Sequence, residues 1–336
     1  MEQELTSARK KAHIDLAFQS QVSQIQSDQR FYYEPLLAAH PENISLKTSF
    51  GGRELGAPIW VSSMTGGTGL AGTINHNLAQ ACNKYGMGMG LGSCRIILDS
   101  NQYLGDFALR HIIGDNLPFY ANLGIAQVEE LFDAGSQRKI AELVSKLDAD
   151  GLIIHINPMQ EWLQPEGDRI KYSPLETIKR VLDAFDIKLI VKEVGQGMGP
   201  ESLKALFSLP IEAVEFAALG GTNFAKLEMI RGNGESLEQY EQLAYIGHSA
   251  EEMVGFTNTV QQELGSKALC KQVIISGGVK GFLDGHYLLN KITCPAIYGQ
   301  ASSFLKHAAS SYEELDYFIE KQLQGLALAN AYLKVK

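Results

Sequence analysis

Eight short apolar runs, separated by stretches long enough for a helix, recur along almost the whole chain. Each run is bounded by glycine or by polar residues, a pattern typical of buried parallel strands that alternate with helices. Eight such units predict an α/β fold, a (β/α)₈ or TIM barrel, in which the residues that follow every strand meet on one face. The predicted strands span residues 58–64, 87–93, 118–124, 151–157, 188–194, 213–219, 272–278 and 295–301.

The chain is longer than a barrel of this kind requires. Its 336 residues exceed the roughly 250 of a typical TIM barrel. We therefore expect a single domain over residues 1–336, with an N-terminal extension of residues 1–57. The stretch at about 225–271 is too long for one helix and is predicted to be an insertion between the sixth and seventh strands.

The connections between the runs have the spacing of amphipathic helices. After the first strand, Ile74, Leu78 and Cys82 recur at helical intervals, and Gly86 follows as a helix stop. A weaker stripe of the same kind follows the third strand, between residues 131 and 147. Such helices would pack their apolar faces on the outside of the barrel.

The composition argues against several classes of protein. A formal charge of −9 and the lack of a basic stripe disfavour nucleic-acid binding. The charged amino terminus shows no secretory signal, and no apolar run approaches the roughly 20 residues that cross a bilayer. The four cysteines lie far apart without a CxxC pair, which disfavours a zinc site or a disulfide framework. We expect a protein of the reducing cytoplasm without a nucleic-acid or membrane partner.

Glycine-rich turns follow the last two predicted strands. Ser276, Gly277 and Gly278 end the seventh strand, and Gly299 and Gln300 end the eighth. Turns at these two places form the recurrent phosphate site of TIM barrels, because glycine lets the backbone approach an anion closely. They predict a phosphorylated cofactor.

The end of the fourth strand carries the densest group of polar side chains. An isolated histidine such as His155 is more often a satisfied core residue, but Asn157, Gln160 and Glu161 follow it closely. So many buried polar groups would each need a hydrogen-bond partner. One carboxylate beside an amide oxygen suits a magnesium ion whose other ligands are phosphate oxygens and water. Glu161 is therefore the predicted metal ligand.

Three other strand ends carry residues with useful chemistry. Lys192 lies near the end of the fifth strand, where it could form a Schiff base or stabilise negative charge on an anion or a reduced cofactor. Its neighbour Glu193 points to the opposite face, so a salt bridge between the two side chains is poor. Arg95, after the second strand, could pair with a phosphate or with a surface carboxylate. Asn122, near the end of the third strand, could bind the edge of a heteroaromatic ring.

The order and spacing of these motifs resemble those of a known family. The chain carries SSMTGG, GSxR, ANLG, HxNxxQE, KEVGxG, GGTNF and SGG in this order, after an N-terminal RKxxHI. Over roughly residues 8–310 it resembles the type 2 isopentenyl-diphosphate isomerases, and HxNxxQE with RKxxHI distinguishes these from other flavin barrels. The resemblance implies an FMN-dependent interconversion of isopentenyl and dimethylallyl diphosphate in isoprenoid biosynthesis, with Mg²⁺ and a flavin reduced by NADPH. It also implies a homo-oligomer, either a tetramer or an octamer.

The resemblance also implies roles for individual residues. The implied substrate ligands are Arg9, Lys10, His155 and Gln160, of which the first two would hold the diphosphate. Gln160, His155 and Lys192 are the implied catalytic residues, and Glu161 is the implied ligand of Mg²⁺. In the implied mechanism, reduced flavin gives a proton to the terminal alkene carbon through N5 and accepts one from the allylic carbon. The residues implied for FMN are Ser63, Met64, Thr65, Ser93, Asn122, Lys192, Thr222, Gly277, Gly278, Gly299 and Gln300.

The chain departs from the family pattern around the cofactor. Cys94 stands where relatives commonly have Gln or Met, and Ala217 stands where Ser, Thr or Gly is frequent. Val279 and Lys280 follow the seventh strand where an arginine is usual, and residues 283–300 differ most. A lysine supplies the charge of an arginine but not its forked donors, so we expect these positions to affect the affinity for FMN phosphate.

Two other functions remain open from the sequence. The first is an FMN-dependent 2-hydroxy-acid oxidase or dehydrogenase, which needs a histidine base and arginines for the substrate carboxylate. No His-Gly-x-Arg arrangement follows the seventh predicted strand. The second is a noncatalytic flavin-binding barrel. An isomerisation assay with FMN, NADPH and Mg²⁺ separates the three.

Overall fold

The eight predicted strands are present, and they close into a barrel of parallel strands. The computed structural model describes the whole chain except Met1, Asn43, Ser63, Met64, Thr68, Asn233 and Gly234. The strands are β1 (Phe31–Tyr33), β2 (Thr48–Phe50), β3 (Arg53–Leu55), β4 (Ile59–Val61), β5 (Gly88–Gly90), β6 (Phe119–Gly124), β7 (Gly151–His155), β8 (Lys188–Lys192), β9 (Ala213–Glu215), β10 (Val273–Ser276), β11 (Ala296–Gln300) and β12 (Leu333–Val335). Strands β4 to β11 form the barrel, which confirms the predicted TIM-barrel fold.

Each barrel strand pairs with both of its neighbours in a closed ring. The ring follows chain order from β4 to β11, and β11 returns to β4 with Tyr298 opposite Ile59. Between β7 and β8 the pairing ends with His155 opposite Lys192. Because all eight strands are parallel, the polar residues that follow them are gathered at one end of the barrel.

Aromatic side chains fill the barrel and a hairpin covers its amino end. Trp60 and Tyr120 are almost completely buried, and their ring centroids lie 6.0 Å apart. The hairpin of β2 and β3 places Phe50 against Trp60, at 5.6 Å between ring centroids. In its turn, the backbone N–H of Gly51 donates to Oε1 of Gln272, just before β10. This hairpin leaves the carboxyl ends of the strands as the open end of the barrel.

The helices follow the predicted apolar stripes. On α2, Ile74, Leu78 and Cys82 are buried, and Gly86 ends the helix with a φ of 67°. The stripe between residues 131 and 147 belongs to two helices, since a turn at Gly135 with a φ of 66° separates α4 from α5. The helices are α1 (Glu2–Leu16), α2 (Gly69–Tyr85), α3 (Arg110–Ile113), α4 (Ile125–Asp133), α5 (Arg138–Lys146), α6 (Pro158–Leu163), α7 (Pro174–Ala184), α8 (Pro200–Phe207), α9 (Phe224–Arg231), α10 (Glu235–Tyr240), α11 (Ala250–Leu264), α12 (Phe282–Lys291), α13 (Ser302–Ala308) and α14 (Tyr312–Tyr332).

The two segments that are predicted to be additions to the barrel differ in how they pack. Every residue from 5 to 29, including most of α1, is exposed. Further along the extension, β1 pairs antiparallel with β12 at the end of the chain. The segment 225–271 holds most of α9 and all of α10 and α11, and α11 packs against α8 on the outside of the barrel. Among the described residues, no helix combines the length and the apolar character needed to cross a membrane.

Candidate active site

A cleft opens at the carboxyl end of the barrel, where the sequence placed the functional residues. It holds about 700 Å³ of open space, and residues that end β4 and β8 to β11 line it. Six of the predicted cofactor residues meet there, namely Lys192, Thr222, Gly277, Gly278, Gly299 and Gln300.

Two glycine turns interlock along one wall of this cleft. Gly277 and Gly278 have φ values of 86° and 72°, which disfavour other residues. A Cβ on Gly277 would also lie 2.1 Å from the backbone N and O of Ala218. Across the cleft wall, a Cβ on Gly220 would lie 3.0 Å from the Cα of Gly278. Glycine is therefore required at Gly277 by both conformation and space, and the turn leaves the backbone accessible to a ligand.

Lys192 places a buried cation in the cleft. Its side chain is buried, and its Nζ donates to the carbonyl oxygen of Glu193 at 2.9 Å. The Glu193 carboxylate turns away and accepts from the backbone N–H groups of Gly195, Gln196 and Gly197 at 2.6 to 3.0 Å. Burial nevertheless raises the pKa of Glu193. Among the described residues Lys192 has no carboxylate in ion-pair contact, so its charge remains available to an anionic ligand.

His155 lies beside Lys192 and is held in one tautomer. Asn122 donates from Nδ2 to the carbonyl of Leu91 at 2.9 Å, which turns its Oδ1 toward Nδ1 of His155 at 2.8 Å. Because Oδ1 only accepts, Nδ1 carries the hydrogen and Nε2 presents a lone pair. Burial, and then the charge of Lys192, lower the pKa of His155 to about 3. The ring is therefore neutral near pH 7.

Asn157 gathers the predicted metal ligand and its neighbour. Its Nδ2 donates to Oε1 of Glu161 at 2.9 Å and to Oε1 of Gln160 at 3.1 Å, while its own Oδ1 is buried without a partner among the residues that the structure describes. The other oxygen of Glu161 accepts from the backbone N–H of Asp168 at 2.8 Å. No cluster of three or more His, Cys, Asp or Glu side chains in the described part of the chain could hold a metal. A cation here would need ligands from elsewhere, as a substrate phosphate provides.

Glu228 also belongs to this cluster, although no motif in the sequence indicates it. Its Oε1 lies 3.3 Å from Nε2 of Gln160, and its Oε2 accepts from Nε of Arg231 at 2.6 Å. Helix α9, which carries Glu228, packs against α6, which carries Gln160. Since this contact is tertiary, no spacing along the chain could predict it.

Arg95, whose partner the sequence left open, bonds to a carboxylate. Its Nη1 lies 2.8 Å from Oδ2 of Asp168, the residue whose N–H also binds Glu161. Gln127 donates to the same carboxylate oxygen at 2.9 Å. Arg95 is exposed, so an anion of higher charge could compete for it.

The remaining predicted residues lie apart from the cleft wall or outside the described residues. Ser63 and Met64 belong to the second group. Thr65 packs on the turn after β5, since a Cβ on Gly92 would lie 2.5 Å from the backbone oxygen of Thr65. Ser93 follows Gly92 in that turn. Arg9 and Lys10 are exposed on α1, and neither side chain forms a hydrogen bond or an ion pair with another described residue.

Comparison with known proteins yields close relatives in sequence and a shared fold in structure. No family model matches the chain. An isopentenyl-diphosphate delta-isomerase of Rickettsia rickettsii (strain Sheila Smith) is 33% identical over 330 residues, covering 95% of this chain and 92% of that protein. The protein of the same name from Rickettsia canadensis (strain McKiel) is 32% identical over 96% of this chain and 91% of its own length.

Solved structures with the same fold include those of flavocytochrome b2 and mandelate oxidase. A flavocytochrome b2 mutant with pyruvate bound superposes with a TM-score of 0.62 at 13% identity, over 90% of this chain and 72% of that one. A mandelate oxidase mutant with (S)-mandelic acid gives 0.57 at 12% identity, over 92% and 87%. At this level of identity the similarity shows the barrel alone.

Proposed function

Because this chain belongs to the family of isopentenyl-diphosphate delta-isomerases, we propose that it interconverts isopentenyl and dimethylallyl diphosphate as a type 2, FMN-dependent enzyme. The relatives at 33% identity over 95% of the chain carry this proposal. The cleft that combines glycine turns with the buried Lys192 supports the choice of a flavin phosphate as cofactor. The oxidation enzymes that share the barrel do not outweigh these relatives, because they match at only 12 to 13% identity.

The residues of the cleft fit FMN. The turns at Gly277–Gly278 and Gly299–Gln300 would receive the phosphate, and Lys192 would lie beside the N1 and O2 edge of the flavin. Asn122 still has one amide hydrogen and one lone pair after its bonds to Leu91 and His155, enough to bind the edge of the ring. Thr65, Ser93 and Thr222 complete the proposed set with Ser63 and Met64. When bound and reduced by NADPH, the flavin supplies the acid and base chemistry through N5.

The chain's own residues would bind and orient the substrate. Glu161 would hold Mg²⁺ against the diphosphate, with Arg9 and Lys10 supplying cations and Gln160 near the reacting alkene. Neutral His155 has an accepting Nε2, so it can donate to a phosphate oxygen only after taking up a proton. A general acid for the alkene is lacking among these groups, since Glu228, the carboxylate beside Gln160, is bonded to Arg231. This supports assigning proton transfer to the cofactor.

The proposal is tested by assaying the purified protein with isopentenyl diphosphate, FMN, NADPH and Mg²⁺. We expect dimethylallyl diphosphate to form, and we expect omission of FMN, of the reductant or of Mg²⁺ to stop its formation. A parallel assay with 2-hydroxy acids should give no oxidation. Bound flavin with hydroxy-acid oxidation, or with no reaction at all, would favour the oxidase or the noncatalytic barrel.

Location and assembly belong to the same proposal. The sequence and its resemblance to the family favour a cytoplasmic homo-oligomer, a tetramer or an octamer. Light scattering during size-exclusion chromatography measures the molar mass of the assembly directly. A monomeric mass at assay concentration would contradict it.

A further inference from the structure

A buried carboxylate, Glu215, lies under the cleft and has no role in the function proposed above. It is the last residue of β9 and is completely buried. It stands opposite Lys192 in the pairing of β8 with β9, and it lines the same cleft. A buried acid is costly unless its oxygens are hydrogen-bonded, so its contacts indicate its use.

One oxygen of Glu215 ties three strands of the barrel together. Its Oε1 accepts from Oγ of Ser62, just after β4, at 2.6 Å and from Oγ of Ser276, at the end of β10, at 3.1 Å. An ionised carboxylate only accepts, so it fixes the direction of both hydroxyl hydrogens. Its Oε2 is buried without a partner among the described residues. Glu215 thus orients two serines at the base of the cleft.

Ser276, whose hydroxyl is oriented by Glu215, also bonds to the backbone beside the glycine turns. Because its hydrogen points to Glu215, its Oγ can accept from the backbone N–H of Ala217 at 2.9 Å. The carbonyl of Ser276 accepts from the N–H of Ala218 at 2.9 Å. Ala217 has a φ of 45°, a conformation that costs free energy in a residue other than glycine. The hydrogen bond that Ala217 donates to Ser276 stabilises this conformation, against which Gly277 packs.

We infer that Glu215 is a positioning residue for the phosphate-binding turn at Ser276–Gly278. It acts through Ser276 and Ala217, which hold the turns after β9 and β10 in the interlocked arrangement. The inference rests on the proposed function in so far as the phosphate is that of FMN. A carboxylate so close to a phosphate site repels the anion, so its benefit must come from the hydrogen bonds it accepts.

A charge-matched pair of variants isolates the hydrogen bonds. Glu215→Gln removes the charge but keeps an accepting oxygen, whereas Glu215→Met is also neutral and accepts nothing useful. Titrations of the apoprotein with FMN and with riboflavin, followed by flavin fluorescence, give the affinity with and without the phosphate. We expect FMN to bind Glu215→Met about tenfold more weakly than Glu215→Gln, as the loss of one buried hydrogen bond predicts, and riboflavin to bind both alike.

The control is Thr257→Val, which alters a completely buried hydroxyl on α11 that has no hydrogen-bond partner in the described part of the chain. We expect wild-type affinities for both flavins in this variant. Equal FMN affinity in the Met and Gln variants, or an equal loss of riboflavin affinity, would overturn the inference.

Hydrogen exchange tests the same contact without any flavin. In the apoprotein, the amide of Ala217 should exchange at least about tenfold faster in Glu215→Met and in Ser276→Ala than in Glu215→Gln. Unchanged exchange would overturn the positioning role, whatever the protein binds. A wild-type protein without isomerase activity would refute the proposed function. If the amide of Ala217 still exchanges faster in Glu215→Met and Ser276→Ala, the positioning role would remain in place.

Discussion

His155 is the side chain whose protonation the fold changes most clearly. Its pKa falls from 6.5 to about 3 on folding, because the surrounding protein desolvates the half-buried ring and Lys192 is near. Between these pH values the unfolded chain binds a proton that the folded chain does not, so the free energy of unfolding decreases as pH falls through this window. Above pH 6.5 both states are neutral and the effect vanishes.

We predict that His155→Asn removes part of this pH dependence. Between pH 7 and pH 4.5 the wild type should lose about 2 to 3 kcal/mol more unfolding free energy than the variant. This is because pH 4.5 lies two units below the pKa of the unfolded chain, and each unit corresponds to about 1.4 kcal/mol. Urea unfolding at the two pH values measures the difference. His13→Asn, at an exposed position, is the matched control and should behave as the wild type. Equal losses of unfolding free energy in His155→Asn and in the wild type would show that the ring of His155 is protonated in the folded protein.

Lys192 is expected to stabilise the reduced flavin by its charge. Lys192→Ala should lower the midpoint potential of bound FMN by about 30 mV or more, since 30 mV corresponds to about 1.4 kcal/mol for two electrons. Spectroscopic titration with a reference dye measures the potential. Lys192→Arg keeps the charge but cannot form a Schiff base, so it should shift the potential less. An unshifted potential in Lys192→Ala would leave the Schiff-base role as the alternative.

Glu161 is expected to act on the metal and not on the flavin. Glu161→Gln should raise the Mg²⁺ concentration for half-maximal rate by roughly 10- to 100-fold, because a neutral amide binds a hard cation weakly. Flavin absorbance should show that FMN remains bound. Glu166→Gln, which changes an exposed acid shortly after α6, the helix that carries Glu161, is the control and should keep the wild-type Mg²⁺ dependence. The metal role is wrong if both variants respond alike to Mg²⁺.

The turn after β9 shows how an element is adapted at a functional site. Ala217 occupies a left-handed conformation with a φ of 45°, which is uncommon for a residue other than glycine. Ala217→Gly should raise the free energy of unfolding by about 1 kcal/mol, because glycine adopts this conformation without strain. Ala218→Gly, at the next position and with ordinary backbone, should lower it by roughly 0.5 to 1 kcal/mol. Chemical unfolding measures both, and a loss of stability in Ala217→Gly would show that the backbone is not strained there.

Much at the level of elements follows from the sequence because it depends on local pattern. The burial of Ile74, Leu78 and Cys82 on α2 needs only their helical spacing, and the strand ends need only the apolar runs. Glu228 beside Gln160 could not be predicted, since it depends on how α9 packs on α6. The neutral state of His155 was equally hidden, because it results from burial and from a lysine on the adjacent strand.

For the whole molecule, the segments that pack on the barrel differ from the exposed N-terminal segment that is proposed to bind substrate. The hairpin of β2 and β3 seals the amino end, and β1 ties the extension to β12 near the carboxyl terminus. By contrast, residues 5–29 are exposed, so they bury little apolar surface. Arg9 and Lys10, the proposed diphosphate ligands, lie in this part.

We predict that removing residues 1–22 leaves the stability of the barrel unchanged and weakens substrate binding. The melting temperature should stay within about 2 °C, because a change of 1 kcal/mol moves it by roughly 2 to 4 °C in a domain of about 150 to 250 residues and by less in a longer chain. The KM for isopentenyl diphosphate should rise at least about tenfold through the loss of two charge-assisted contacts. The double variant Arg9→Ala, Lys10→Ala in the full chain is the control and should reproduce the change in KM. A truncation that destabilises the protein while the double variant binds substrate normally would mean that the N-terminal helix packs on a surface in the assembly and does not hold the diphosphate.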